Sequence, residues 1–160
     1  MINTMKNIFV LSITVLLLAG CHSDTIYKKY KKFDNASWSM NDTATFEFQV
    51  NKKEELGLYF AFRHHTDFPF SYINIGVTIY TPDGEIRSRN YHYRLKDTKL
   101  DWVGDGMGEL WDIDFPIRKK MMFNKDGMCT IKITNKMHRP EIPGIMEVGL
   151  VVKKISKEKK

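Results

Sequence analysis

Three stretches of the chain alternate apolar and polar residues with a period of two. In Thr43–Val50, Phe46, Phe48 and Val50 fall on one face. In Leu56–Phe62, that face carries Leu56, Leu58, Phe60 and Phe62, and in Tyr72–Tyr80 it carries Ile73, Ile75, Val77 and Ile79. Such alternation predicts strands of a sheet with one buried face. Thr81-Pro82-Asp83-Gly84 has the residues of a tight turn: proline pre-sets φ, aspartate bonds its own backbone, and glycine accepts positive φ. It predicts an antiparallel return along about Ile86–Leu95. Asp126-Gly127 predicts a second turn, between Met121–Asn124 and Met128–Thr134, and Ile145–Lys153 reads as the closing strand. No segment has helical periodicity, and Asp97–Trp111 reads as a long irregular stretch. About eight strands with short loops predict an all-β fold, an antiparallel β-sandwich of which a jelly-roll is one form.

The start of the chain follows a different pattern. Ile8–Ala19 is apolar except for Ser12 and Thr14, and it follows a short polar segment whose one charge is Lys6. Twelve residues span about 18 Å as a helix, short of the ~30 Å bilayer core. The segment therefore reads as a secretory signal. It ends in Leu18-Ala19-Gly20-Cys21, the bacterial lipobox. The Cys21 thiol carries a thioether-linked diacylglycerol, the small residues before it allow cleavage at Gly20–Cys21, and two or three acyl chains give a lasting anchor. The expected organisation is a signal peptide over 1–20, a lipid anchor and polar tether over 21–36, a β-sandwich over 37–155 and a basic tail over 156–160. The expected location is the cell envelope, on the outer membrane and facing the periplasm.

Charge adds little to this picture. Removing residues 1–20 lowers the net charge from +6 to +5. Much of the excess lies at the ends, in Lys28, Lys29, Lys31 and Lys32 and in Lys153, Lys154, Lys157, Lys159 and Lys160. The basic tether suits an anionic bilayer. Nucleic acid would call for a basic stripe on the folded domain, and no nucleic-acid partner is expected. With Cys21 lipidated, Cys129 has no partner for a disulfide. Its alternating setting, Met-Cys-Thr-Ile-Lys-Ile, predicts a small buried side chain.

Several clusters invite chemistry. Adjacent strand residues point to opposite faces, so His64 and His65 cannot easily share a metal, and no metal site is expected. Asp105, Glu109, Asp112 and Asp114 crowd around Trp102 and Trp111, but with no set separation to support hydrolysis. No nucleophile elbow or phosphate loop occurs, so neither a cofactor nor catalysis is expected. Phe68-Pro69-Phe70-Ser71-Tyr72 would be a binding patch if exposed and would close one end of the sandwich if buried. Gly104, Gly106 and Gly108 remove side chains from one edge, which permits a bulge, positive φ or a close backbone approach.

The order of these motifs resembles the gliding-motility lipoprotein GldH family of Bacteroidetes-type bacteria. The lipobox comes first. Phe62-Arg63-His64, Phe68-Pro69-Phe70, Asn74 and Pro82-Asp83-Gly84 follow. Then come Trp102-Val103-Gly104-Asp105-Gly106-Met107-Gly108-Glu109, Met137-His138-Arg139, Gly144-Ile145 and Val148-Gly149. The likeness covers roughly Trp38–Lys153. It departs in Phe-Pro-Phe, where Tyr-Pro-Tyr is expected, and in His138, which interrupts a Met-Arg pair. The resemblance implies a non-catalytic accessory part of an envelope assembly for gliding motility, whose machinery overlaps type IX secretion. It supplies no catalytic residues. Arg63, Phe68, Phe70, Trp102 and Asp105 form the candidate partner-binding surface. The alternative is a glycan-binding lipoprotein with Trp102 and Trp111 as sugar platforms.

Overall fold

The computed structural model describes residues 24–155. The expected signal peptide over 1–20, Cys21 and the expected basic tail over 156–160 lie outside the described residues. Within them are eleven strands and no helix: β1 (Thr25–Lys32), β2 (Ser37–Ser39), β3 (Thr43–Val50), β4 (Glu55–His65), β5 (Tyr72–Tyr80), β6 (Ile86–Arg94), β7 (Asp105–Met107), β8 (Leu110–Met122), β9 (Gly127–Asn135), β10 (Glu141–Pro143) and β11 (Ile145–Lys154).

The fold is the expected antiparallel sandwich, built of eight long strands, and their wiring is simple. β5 pairs β6, β4 pairs β8, β3 pairs β9 and β1 pairs β11, all antiparallel and each pair nested inside the next. One long folded ribbon is thus rolled up, with alternate pairs in opposite sheets. The result is a five-stranded sheet in the order β1-β11-β4-β8-β7 against a four-stranded sheet in the order β3-β9-β5-β6. This is jelly-roll order. The short strands β2 and β10 form a separate ribbon.

The period-two stripes meet between the sheets. Phe46, Phe48, Val50, Leu56, Leu58, Phe60, Phe62, Ile73, Ile75, Val77 and Ile79 are all buried. Cys129 is fully buried with them, on the inner face of β9. At Thr81–Gly84, Gly84 has φ of 86° and its N–H donates to the Thr81 carbonyl at 3.0 Å.

The lysine-rich residues 25–32, expected within a tether, instead form edge strand β1. Their side chains hide this. Tyr27 packs on Phe48 at 5.3 Å, while most of the rest of the strand is exposed. The strand is held by backbone pairing to β11, and a lysine-studded edge discourages further pairing. The stretch Asp97–Trp111 is also more ordered than expected. It contains a bridge between Lys96 and Trp102, then β7, then a turn at Gly108 into β8.

Candidate functional site

The candidate residues lie where β4 ends. Along Phe62-Arg63-His64-His65 the strand alternates. Arg63 emerges on the outer face of the five-stranded sheet and His64 turns inward, where it is fully buried. The His64 ring centroid lies 4.5 Å from Trp102 and 5.3 Å from both Phe62 and Phe68. Its Nδ1 is 2.9 Å from the His65 carbonyl oxygen, so Nδ1 carries the proton and donates. Its Nε2 has no hydrogen-bond partner among the described residues. Burial lowers the pKa of the imidazole and keeps it neutral.

Aromatic rings close this end of the sandwich. Phe68 is 3% exposed and meets Phe62 and Phe70 edge-on at 5.7 and 5.6 Å. Gly144, with φ of 83°, passes so close that an added Cβ would lie 3.2 Å from the Phe68 Cα. Phe70 is half-buried beneath the Arg139 guanidinium at 5.5 Å. Trp102 is half-buried, with the Lys96 ammonium 4.2 Å from its ring centre.

On the outer face of the same sheet lies a shallow cleft of about 310 Å³. Ala61 lines it without obstructing it. Its rim carries Lys28, Tyr30, Arg63, Asp105, Asp112 and Asp114. Arg63 and Asp112 are register partners on β4 and β8, so they share a face. Arg63 donates to both Asp112 oxygens, from Nε at 2.6 Å and from Nη2 at 2.8 Å, and from Nη1 to Glu147 at 3.4 Å. These bonds to Asp112 raise the Arg63 pKa further. Asp105, exposed on β7, stands directly opposite Asp112.

The three glycines near this cleft have separate reasons. Gly104 has φ of 105°, and a methyl group there would overlap the Asp112 carbonyl oxygen. Gly106 faces Trp111, whose ring would lie 3.0 Å from an added Cβ. Gly108 has φ of 64° in open space and serves only the turn.

The structure therefore divides the five candidate contact residues. Arg63 and Asp105 share the outer cleft. Phe70 and Trp102 sit at the aromatic end. Phe68 belongs to the core, and its ring is not presented to a partner. Neither tryptophan offers an open platform. Trp102 is flanked by Lys96 and His64, and Trp111 lies against Gly106 with its indole nitrogen buried and unpartnered. His92 stands on the outer face of the other sheet, away from His64. No group of three or more His, Cys, Asp or Glu suited to a metal occurs among the described residues. Burial pushes the Cys129 thiol up to about 12, which makes it a poor nucleophile at neutral pH. Tyr30 was not legible as a cleft residue, nor Glu147 as a partner of Arg63 beside it. Register across β1, β11 and β4 brings Tyr30 to the cleft and Glu147 to Arg63, and no local motif carries that information.

The sequence model of the GldH lipoprotein family matches residues 25–152, from the first residue of β1 into β11. The chain belongs to the GldH lipoprotein family. It is 20% identical to a gliding motility lipoprotein GldH homolog of Christiangramia forsetii, over 92% of this chain and 95% of that protein. It is 22% identical to gliding motility lipoprotein GldH of Flavobacterium johnsoniae, over 88% of this chain and 87% of that protein. Among solved structures, a protein from Sulfurospirillum deleyianum is similar at a TM-score of 0.39 and 11% identity, over 82% of this chain and 99% of that one. The VP2 subviral particle of infectious bursal disease virus is similar at 0.38 and 12% identity, over 80% of this chain and 33% of that one. Likeness at this level carries no functional argument. Membership in the GldH family makes the chain a gliding-motility-associated lipoprotein of the cell envelope.

Proposed function

We propose that this GldH-family lipoprotein works by binding, as a non-catalytic accessory part of a gliding-motility or type IX secretion-associated assembly. It is held by lipid on Cys21 in the outer membrane and faces the periplasm. The observation that carries this reading is the family match beginning at Thr25, four residues after the lipobox cysteine. Four residues reach at most about 14 Å when extended. The sandwich would therefore stand close to the bilayer, with the Thr25 end of β1 toward the lipid and the aromatic end away from it. Arg63, Asp105, Phe70 and Trp102 supply the contact surface, with Phe68 supporting the two aromatics from beneath.

The test is a tagged pull-down from crosslinked, detergent-solubilised envelopes, with recovered proteins identified by mass spectrometry. Recovery of motility or secretion components supports the assembly role, and recovery of nothing reproducible overturns it. A parallel Cys21→Ala variant should lose lipid labelling and membrane retention. A variant that stays acylated removes the lipid anchor at Cys21.

A further inference from the structure

On the five-stranded sheet several cations are paired, Arg63 with Asp112 and Glu147, Lys32 with Glu147, Lys120 with Glu55 and Lys154 with Glu54, while Lys28, Lys29, Arg118, Lys119 and Lys153 make no ion pair among the described residues. At the far end of the four-stranded sheet, the cations Arg94, Lys96, Lys136 and Arg139 gather beside the imidazoles of His92 and His138. None of these six makes an ion pair among the described residues. Two clefts of about 370 and 420 Å³ lie side by side there, and His92 lines both. The one carboxylate in either lining, Asp97, accepts the N–H groups of Lys99 and Asp101 at 2.8 and 3.0 Å within its own turn.

Register builds this face. Tyr72 opposes Arg94, Asn74 opposes His92 and Gly76 opposes Asn90, so all six point outward together. Asn74 Oδ1 and His92 Nδ1 are 2.7 Å apart. The Lys136 N–H donates to the Asn74 carbonyl at 3.0 Å, which extends the row. Gly76 leaves room for the Lys136 side chain to lie across the sheet, since an added Cβ would sit 2.8 Å from its Cε. Rings run between the charges. Tyr72 lies 5.0 Å from His92 and 6.4 Å from Phe70, which carries Arg139 over its face.

Unpaired like charges held on a rigid sheet repel one another and attract an anion. The surroundings select its kind. Ring-sized clefts walled by half-buried aromatics and asparagine side chains suit sugar rings, which stack on aromatics and bond to amides. A tight protein partner would want deep desolvated pockets for apolar anchors, and these clefts are open, with cations and amides set among Tyr72, Tyr91 and Leu100. Position speaks against the anchoring bilayer. β1 starts at the opposite end of the sandwich, and its eight residues alone run about 26 Å.

We propose that the far end of the four-stranded sheet binds an acidic polysaccharide, with carboxylated or phosphorylated sugars seated in the two adjoining clefts around His92. The two clefts adjoin the contact surface assigned above, through Lys96 on Trp102 and Arg139 on Phe70, but neither is lined by Arg63, Asp105, Phe70 or Trp102, so substitutions at Arg94 and Lys136 test this site apart from that surface.

The test uses the full lipidated chain in a neutral polyoxyethylene detergent, passed over immobilised polygalacturonate and over neutral dextran. Retention on polygalacturonate alone, with release by ~0.5 M salt, is expected. Arg94→Gln with Lys136→Gln should lower retention about tenfold or more. Lys28→Gln with Lys120→Gln, an equal charge change on the five-stranded sheet, should alter it less than about twofold. Thermal melts check that both variants stay folded. No retention, or equal losses for the two variants, overturns the proposal. So does stronger competition by polyglutamate or by phosphatidylglycerol vesicles than by soluble polygalacturonate, which would reassign the face to an acidic protein or to lipid.

Discussion

His64 and Trp102 lie 4.5 Å apart, ring centre to ring centre, with the imidazole fully buried and the indole half-buried above it. This pair makes stability depend on pH. Burial lowers the folded-state pKa of His64 below its ordinary value of 6.5. In the window between that lowered value and 6.5 the unfolded chain holds the extra proton, so stability rises with pH there. The contribution is complete above about pH 6.5 and is lost as the medium is acidified below it. Urea midpoints measured from pH 7.5 down to pH 5 should fall, and His64→Phe should flatten part of that fall. An unchanged slope in His64→Phe would place the acid sensitivity elsewhere.

Gly104 and Gly108, on either side of β7, separate two costs. Gly108→Ala meets no atoms and should cost about 1 kcal/mol for its left-handed backbone alone. Gly104→Ala has positive φ and also drives a methyl group into the Asp112 carbonyl, so about 3 kcal/mol is expected. Denaturant unfolding of both variants checks the order. Equal costs would mean that β7 moves away from β8 without penalty.

Cys129 tests the packing of the core. It is fully buried on β9 with its thiol pushed up to about 12. Iodoacetamide at pH 8 should leave it unmodified in the native protein and label it at once in denaturant, as mass spectrometry would show. Labelling of the native chain at a free-thiol rate would mean that the two sheets separate readily.

Sequence made the sandwich legible wherever a strand buries one face. Phe46, Phe48 and Val50, or Ile73 through Ile79, carry the period of two because their alternate neighbours face water. β1 escaped because Tyr27 is its main inward anchor, and the strand is held by backbone bonds that side chains do not encode. β2 and β10 escaped because three-residue strands are too short to show a period. Of the candidate site, the opposite aims of His64 and His65 followed from their adjacency, and the same alternation turns Arg63 outward. The grouping of Arg63 with Glu147, 84 residues away, followed only from the register of β4 on β11. Phe68 and Phe70 look alike in sequence, and a ring packed beneath Gly144 separates buried from half-buried.

The outer cleft gives the cleanest test of partner binding. Trp102→Ala would uncover His64 and part of Phe68, so a loss of complex there would mix instability with lost contact. Arg63 and Asp105 avoid this. The Arg63 and Asp112 side chains keep 33% and 39% of their exposure, so Arg63→Gln should cost only about 1 kcal/mol. Asp105 is exposed, and Asp105→Asn should stay within about 0.5 kcal/mol of the parent. Both variants should therefore accumulate normally. If the cleft contacts an envelope partner, each should lower co-purification of that partner from crosslinked membranes, and the double variant should lower it further. Arg63 loses two bonds to Asp112 in its variant, and Asp112 is then left facing Asp105 without its counter-charge. For this reason Arg63→Gln is expected to be the more damaging of the two. Unchanged recovery at normal abundance in both variants would take the cleft out of the contact surface and leave Phe70 and Trp102 as its remaining exposed members.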